Sequence, residues 1–567
     1  MIFHSNSGSY PRQNVCAFIF LGMLSAGAFL YTGKGFAQTT VNFTTAAPLS
    51  VPSRSNFSGA NMELFGTGTS YLDTSMQKLA NSMNLGWTRF PGGTADDYYA
   101  WEAGSNKQDG TSWPAGSTPY DWASQFASFG TFNYSIVQKA ETIVGGKLGG
   151  ISLTDYSTFV STQRTGPTGV LGSSPTQTIG VINIFTDTGT TKSAGDLVTA
   201  AAAAGIPVAL WELGNEPVYY PTFFSTSSNV TQQAMDYLAY VKPYAAAIKT
   251  ANPSAKVAVW VDNKSDAWTK GIASYAQANG VFWDELYTHS YPGAPESDGP
   301  SQVEYYNGFL STNTNALVDG ELADLFGSNM RPIEWSEFNI NPLADTIYNG
   351  VFISEFTMRL SSDSYVTYVG MHAAVSDAAG LEVAISEQYD YANVAPPGAT
   401  TVIAACAWSK TLNKCTGTPI DTSGLNFNYF MTPSALAMQL INEPINTSEG
   451  LWPTSITGLP TVPISSGSLL AIYAQAYQYA GKTKYVLLTN KDDVPVTVTI
   501  QENGTTLGGT LTTKAIGVTC NLSQNPQTCQ GFTNTYNSTP ITIVKGSSTN
   551  GMVTVPAYGV MSVSWVE

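Results

Sequence analysis

The chain has 567 residues, with 40 Asp or Glu against 24 Lys or Arg, a formal net charge of −16. That length accommodates a barrel of about 250–400 residues plus a smaller domain, and the negative field opposes nucleic acid, anionic membranes and polyanionic polysaccharides. Only 11% of the residues are charged while Ser, Thr, Asn and Gly are abundant, which suits an exported, solvated surface.

Arg12 precedes an apolar run from Val15 to about Tyr31, and Gly35, Phe36 and Ala37 offer small residues at a cleavage position, so residues 1–37 read as a secretory signal. The rival is an uncleaved anchor, because the run is near the ~17-residue lower limit for spanning a bilayer. Cleavage after Ala37 would remove Arg12 and Lys34 and no acid, leaving 22 basic against 40 acidic residues, a charge of −18, in a secreted or periplasmic protein. Residues 38–56 precede the first barrel strand, and Thr39 to Pro52 is expected to pair with a C-terminal sandwich.

From 57 to 449 apolar runs alternate with helical patterns, the order that builds a parallel sheet or barrel. The candidate strands are Gly59–Leu64, Gly86–Phe90, Thr178–Phe185, Val208–Leu213, Val257–Val261, Glu285–His289, Ile333–Glu337 and Tyr365–His372. They supply the eight that a (β/α)8 TIM barrel requires. Apolar residues recur at three and four in Ser193–Ala204 and Gln232–Lys249, which predicts helices. The long stretch Ala100–Gly172, with Trp101, Trp113 and Trp122 among many Gly and Ser, is expected to decorate the cleft, and a second insertion runs from about Ser376 to Leu425. From 450 to 567 Val/Ile/Thr alternation replaces helical spacing, as in Tyr485–Leu488, Val496–Ile500 and Val560–Trp565, with Asn503-Gly504 and Asn550-Gly551 as turns. The fold class is therefore α/β, a barrel followed by an antiparallel β-sandwich.

Cys16 falls in the signal, and the other four cysteines form two close pairs, Cys406 with Cys415 and Cys520 with Cys529. Four cysteines allow three connectivities; the close spacing favours two local disulfides in an oxidising compartment. Zinc is the rival, but neither pair has C-x-x-C spacing, and His289 and His372, the histidines left after cleavage, are far away in sequence.

Chemistry concentrates where two of the strands end. Trp211-Glu212-Leu213-Gly214-Asn215-Glu216-Pro217 follows an apolar run and closes on an Asn-Glu pair; Arg331-Pro332-Ile333-Glu334-Trp335-Ser336-Glu337 again ends a short strand in Glu. Acids at strand ends on the C-terminal face of a barrel are what a glycosidase presents to a sugar, so Glu216 and Glu337 are the candidate catalytic pair. Asn-Glu-Pro alone is a weak motif, and Asn442-Glu443-Pro444 repeats it after a helical pattern, where it reads as a helix end. Glu212 and Glu334 read as surface or packing residues. Trp211, Trp260 and Trp335 suit stacking on sugar faces or a place in the core. No phosphate loop, dinucleotide fingerprint, Ser-His-Asp arrangement or metal cluster is present, so no cofactor and no metal are expected; His289 is expected to orient a neighbour or a substrate hydroxyl.

These motifs resemble the retaining glycoside hydrolases of clan A, and most closely family 79, the β-glucuronidase and heparanase family. Trp211–Pro217 matches that family's acid/base segment, and Arg89-Phe90-Pro91-Gly92-Gly93-Thr94-Ala95-Asp96-Asp97 looks like its R-x-G-G-T segment. The resemblance implies that Arg89 braces the nucleophile, that Asp97 reaches a sugar hydroxyl, that Tyr291 in Thr288-His289-Ser290-Tyr291 donates to the nucleophile, and that Glu63 binds the sugar. It also implies a barrel followed by a β-sandwich. Glu216 would then be the acid/base, protonated because a neighbouring negative charge and partial burial raise its pKa, and Glu337 the nucleophile, with Asn215 on the 2-hydroxyl. The two carboxyl groups should stand about 5–5.5 Å apart. Heparanase-like members place an aromatic-Gly-Gly segment after the nucleophile, whose backbone N–H groups hold the uronate; here Pro342 intervenes and Tyr348-Asn349-Gly350 comes later. Family 51 arabinofuranosidases share an R-x-P-G-G block and a G-N-E motif with this chain. The expected partner is an oligo- or polysaccharide or glycoconjugate. A glucuronide is favoured, an arabinofuranoside or other neutral sugar is the alternative, and an inactive carbohydrate-binding protein is the reading from a different class.

Overall fold

The structure, a computed structural model, describes residues 39–62, 74–93, 101, 153–163, 176–185, 191–292, 300–312, 317–340, 346–374, 385–389, 408–409, 414–415, 427–458, 460–464, 467–479, 483–518 and 541–566. After β1 (Thr39–Phe43), eight parallel strands close a barrel: β2 (Ser58–Asn61), β3 (Trp87–Phe90), β4 (Gln177–Ile182), β5 (Val208–Leu213), β6 (Val257–Trp260), β7 (Glu285–Ser290), β8 (Ile333–Phe338) and β9 (Val366–Met371). β2 pairs β9 to complete the ring. Each of the eight overlaps an apolar run read from the sequence, because strands covered on both faces are apolar almost throughout. At the β2–β9 seam the Trp87 indole fills the space that side chains at Gly59 and Gly370 would take, and its Nε1 donates to Phe57 O at 3.1 Å.

The helices follow local signals. α1 (Thr74–Ser82) leads into β3. α2 (Leu153–Thr162) lies within the stretch expected only to decorate the cleft, yet it packs on the barrel: the Tyr156 hydroxyl bonds Thr88 Oγ1 at 2.7 Å and Thr178 Oγ1 at 3.0 Å, and its ring stacks on Phe90 at 4.0 Å. α3 (Thr191–Ala203) ends in a left-handed Gly205 (φ 72°), with Gly205 N donating to Ala202 O and Ile206 N to Ala201 O, so the chain reverses through Pro207 straight into β5. α4 (Val230–Ala251) buries Ala234, Tyr237, Leu238, Val241, Ala245 and Ile248, the spacing of three and four seen in the sequence. α5 (Ala267–Asn279) is capped by Asp266, which accepts from Thr269 N at 2.9 Å. α6 (Ile347–Ser361) follows β8, and α7 (Pro433–Asn446) holds Asn442-Glu443-Pro444 in its last turn, where Asn442 donates to Met83 O.

Among the described residues the C-terminal region has two main sheets and a separate hairpin, Thr461–Ile464 with Gly467–Leu470. One orders β10 (Gly450–Trp452), β12 (Ile472–Gln478), β13 (Thr483–Asn490), β18 (Gly559–Val566), β15 (Leu511–Ile516) and β16 (Val544–Ser548); the other orders β11 (Thr454–Thr457), β1, β14 (Val496–Glu502) and residues 505–506, with β17 (Met552–Val555) also on β14. Strand β1 is antiparallel to β11 and parallel to β14. Asn503 and Gly504 both have positive φ and make the hairpin after β14. Asn550-Gly551 instead carries the chain from β16 in one sheet to β17 in the other. Val41, Phe43, Val486, Val498, Val555 and Val563 belong to an apolar core separate from that of the barrel. Among the described residues no helix is long and apolar enough to cross a membrane; the apolar run Val15–Tyr31 lies outside them.

Candidate active site

Strand β5 leaves the barrel through Gly214, whose φ is 90° and where a Cβ would meet Ile184 at 2.5 Å. Two buried phenols pin the strand end: Tyr237 donates to Leu213 O at 2.8 Å and Tyr287 to Gly214 O at 2.7 Å. Asn215 and Glu216 follow. Glu216 is itself left-handed (φ 44°, ψ 51°) before the turn Pro217–Tyr219, a conformation that costs a non-glycine residue about 1–2 kcal/mol. That backbone brings its carboxylate back over the barrel mouth, where Oε1 lies 2.9 Å from His289 Nδ1.

Glu337, at the end of β8, is buried and doubly held. Its Oε1 accepts from Arg89 Nη1 at 2.5 Å and its Oε2 from Tyr291 OH at 2.5 Å, with His289 Nδ1 3.3 Å from Oε2. Burial raises its pKa, but the charges of His289, His372 and Arg89 and the Tyr291 hydroxyl outweigh burial and bring it down to about 2. His289 thus stands between the two acids, with Nε2 3.1 Å from Ser336 Oγ and its ring edge-on to Trp260 at 4.7 Å. Oxygens of Glu216 and Glu337 and a ring nitrogen of His289 lie within 4.8 Å of one another.

Arg89 organises the floor. Besides Glu337 it donates through Nη1 to Asn61 Oδ1 at 3.0 Å, through Nε and Nη2 to Glu212 Oε2 at 2.8 and 2.5 Å, and through Nη2 to Asn215 Oδ1 at 3.0 Å. A guanidinium only donates, so the Asn215 atom facing it is the oxygen and the amide N–H2 points elsewhere.

The structure therefore brings Glu216, Glu337, Arg89, Asn215, His289 and Tyr291 into one constellation. Trp335 is not part of it: 1% exposed, it donates from Nε1 to Ser290 Oγ and sits edge-on to Phe356 of α6, so it is a core residue rather than a sugar platform. Trp211 and Trp260 are also core. Glu212 and Glu334 are neither on the surface nor ordinary packing; both are fully buried inside the barrel. Glu63 and Asp97 lie outside the described residues, as do Cys406, Cys520, Cys529 and the Cys415 side chain, and with them both expected disulfides.

Some neighbours were not picked out from the sequence. Asn61 accepts from Arg89 and donates to Ser336 O at 2.7 Å. His372, just past β9, lowers the Glu337 pKa and has its ring edge-on to Tyr291 at 6.0 Å. Asp262, just past β6, is pushed up to about 7 by burial and by its hydrogen bond and charge contact with Asp266, and it feels the charge of Glu216. The signal available for each was its place at a strand end. Two carboxylates and an imidazole are also a ligand set for a cation. Against that, both Glu337 oxygens already accept from Arg89 and Tyr291 and the guanidinium supplies the compensating charge, so the donor set suits proton traffic better than a metal ion.

No protein-family model matches the chain, and no curated protein matches it. Solved structures share its fold. An arabinofuranosidase of glycoside hydrolase family 51 from Xanthomonas axonopodis pv. citri is 15% identical with a TM-score of 0.59, covering 93% of this chain and 99% of its own. The α-L-arabinofuranosidase of Thermotoga maritima, solved with arabinose, is 16% identical with a TM-score of 0.58, covering 94% and 100%. A 4-O-α-L-rhamnosyl-β-D-glucuronidase from Fusarium oxysporum 12S, solved with Rha-GlcA, is 16% identical with a TM-score of 0.50, covering 92% and 100%. At such identities the likeness is one of fold, a barrel with a C-terminal sandwich.

Proposed function

We propose that this protein is a retaining glycoside hydrolase with Glu337 as nucleophile and Glu216 as acid/base. The observation that carries the reading is the approach of their oxygens to within 4.8 Å at the ends of two barrel strands. That approach of single oxygens is in keeping with the ~5–5.5 Å carboxyl separation of double displacement rather than the ~6.5–9.5 Å of an inverting enzyme. In the first step a Glu337 oxygen bonds the anomeric carbon as the bond to the leaving oxygen breaks, and Glu216 gives that oxygen its proton. In the second, Glu216 takes a proton from water as the water displaces Glu337. With its oxygen held by Arg89, Asn215 turns its amide N–H2 toward the sugar, where a bond to the 2-hydroxyl strengthens as positive charge develops on the ring.

The substrate class this geometry supports best is a neutral glycoside, with an α-L-arabinofuranoside first. Tyr348, Asn349 and Gly350 form the buried first turn of α6, and the N–H groups of Asn349 and Gly350 are taken by Thr346 Oγ1 and O. They are therefore not free to hold a uronate. The family 51 structures of similar fold, which their descriptions call arabinofuranosidases, support the same reading. A β-glucuronide is the second reading, supported by the Trp211–Pro217 match, and export as a secreted or periplasmic enzyme goes with either.

The test is a panel of aryl glycosides with two variants. Glu337→Ala should abolish turnover of every substrate, whereas Glu216→Ala should keep activity on activated leaving groups and be rescued by azide. The azide product should retain configuration, α from an α-L-arabinofuranoside or β from a β-glucuronide. A retained-configuration azide from Glu337→Ala would reverse the roles, whereas an inverted one is what azide standing in for a missing nucleophile gives, and a turnover-free native protein would favour a carbohydrate-binding function. Preference for glucuronide over arabinofuranoside by more than about tenfold in kcat/KM, ~1.4 kcal/mol, would restore the second reading.

A further inference from the structure

Barrel interiors are normally filled by branched apolar side chains, but beneath Glu337 this one holds Arg89, Glu212 and Glu334, all fully buried, with Glu285 almost so. Glu212 Oε2 takes Nε and one Nη2 hydrogen of Arg89, which leaves Nη1 for Glu337 and Asn61 and the other Nη2 hydrogen for Asn215. Glu212 Oε1 and both Glu334 oxygens find no donor among the described residues. Yet both carboxyl groups, from β5 and β8, are fully buried in the barrel, and Glu334 feels Glu212 through its charge and a side-chain hydrogen bond. Were both ionised, three negative charges would surround one guanidinium out of contact with water, because Glu285 already has Lys256 at 2.9 Å and the Thr367 hydroxyl. One proton relieves the repulsion and pairs two of the three orphaned oxygens, Glu212 Oε1 and the Glu334 oxygen that carries it.

We propose that Glu334 is a neutral carboxylic acid donating to Glu212 Oε1, and that this pair is the positioning device that holds Arg89 against both Glu337 and Asn215. The ionisable groups facing Glu334 are Glu212 from β5, Glu285 from β7, Arg89 from β3 and Tyr368 from β9. Burial first, then the negative charge of Glu212, holds Glu334 well above the usual carboxylate range.

The first test needs no substrate. At mildly alkaline pH, where exposed acids are ionised, the infrared difference between native protein and Glu334→Gln should show the carbonyl stretch of one protonated carboxylic acid, present only in the native protein. Its absence overturns the proposal. The second test rests on the glycosidase reading. Glu334→Leu strands Glu212 Oε1 and should lower kcat about tenfold or more with KM changed less than about threefold, whereas Glu334→Gln, with a neutral donor still in place, should recover most of that loss. The acid limb of kcat/KM should not move in Glu334→Gln, since one neutral group replaces another. A limb shifted to lower pH, the sign of a removed negative charge, overturns the proposal. An infrared band in a protein that hydrolyses no glycoside would sink the proposed function and leave this inference standing.

Discussion

Glu337 is kept ionised against burial by Arg89, two imidazoles and one phenol, and of these only Tyr291 can be altered by a single oxygen without stranding a charge. Tyr291→Phe removes a donor to the ionised form, so the Glu337 pKa rises from about 2 and, if Glu337 is the nucleophile we propose, the acid limb of kcat/KM should move to higher pH. The plateau of kcat should fall about 10- to 100-fold, as for other donors that act on charge in the reacting centre. An unmoved limb would mean the hydroxyl does not act on Glu337. The same depressed pKa has a stability sign: the contribution is complete above the ordinary value of 4.5 and is lost as pH falls toward 2. Glu216 and Glu337 were legible because each ends an apolar run beside residues that mark a strand end. Glu212 and Glu334 were not. In strands covered on both faces, Trp-Glu-Leu and Ile-Glu-Trp read alike whether the acid faces the barrel axis or the helices, and only closure of the ring tells which.

At the scale of elements, the exit of β5 decides where Asn215 and Glu216 lie, and two glycines separate the causes. Gly205 and Gly214 both have positive φ, but a Cβ at Gly205 would meet nothing within 4 Å whereas one at Gly214 would strike Ile184. Gly205→Ala should therefore cost only backbone strain, about 1 kcal/mol, with kcat unchanged. Gly214→Ala adds a clash to the strain and should cost about 2–4 kcal/mol. It should also lower kcat, because the clash is relieved by moving the strand end. Chemical denaturation and steady-state kinetics of the pair check this, and equal losses of stability with unchanged turnover in both would refute it. All eight barrel strands were visible in sequence, since buried parallel strands are short apolar runs between turn residues. Helix α2 was missed because its buried face is only Tyr156, Phe159 and Val160 within a Gly- and Ser-rich stretch. Asn550-Gly551 was legible as a turn but not as a passage between sheets, because a turn dipeptide carries no information about which strands it joins.

The sandwich has an apolar core of its own, while Leu451, Tyr477, Leu487, Ile516, Tyr558 and Val560 join the barrel's, so what else ties the two together matters to the stability of the whole molecule. One link is polar and buried. Glu355 of α6 accepts from Arg359 Nε and Nη2 on one oxygen, and on the other from Lys491 Nζ at 2.5 Å and Thr489 Oγ1 at 3.0 Å, Thr489 at the end of β13 and Lys491 just past it. Burial works against the ionised form of Glu355, yet Lys491 and Arg359 together hold its pKa below the ordinary value. Arg359 also lies over the Tyr473 ring of β12 at 4.3 Å, which commits it to this place. Removing one member of such a group costs more than the group contributes, because a charge is left behind without water. Lys491→Met should therefore destabilise by about 3 kcal/mol. Adding Glu355→Gln should recover part of that loss, since no carboxylate is then stranded and Arg359 is near enough to the surface to be hydrated. The coupling should shrink below pH 4.5, where the unfolded chain takes up a proton that folded Glu355 resists. Denaturant midpoints for the single and double variants at neutral and acid pH measure it. Additive losses at neutral pH would show that the two elements are held by their apolar contacts alone and that this cluster does not act as a unit.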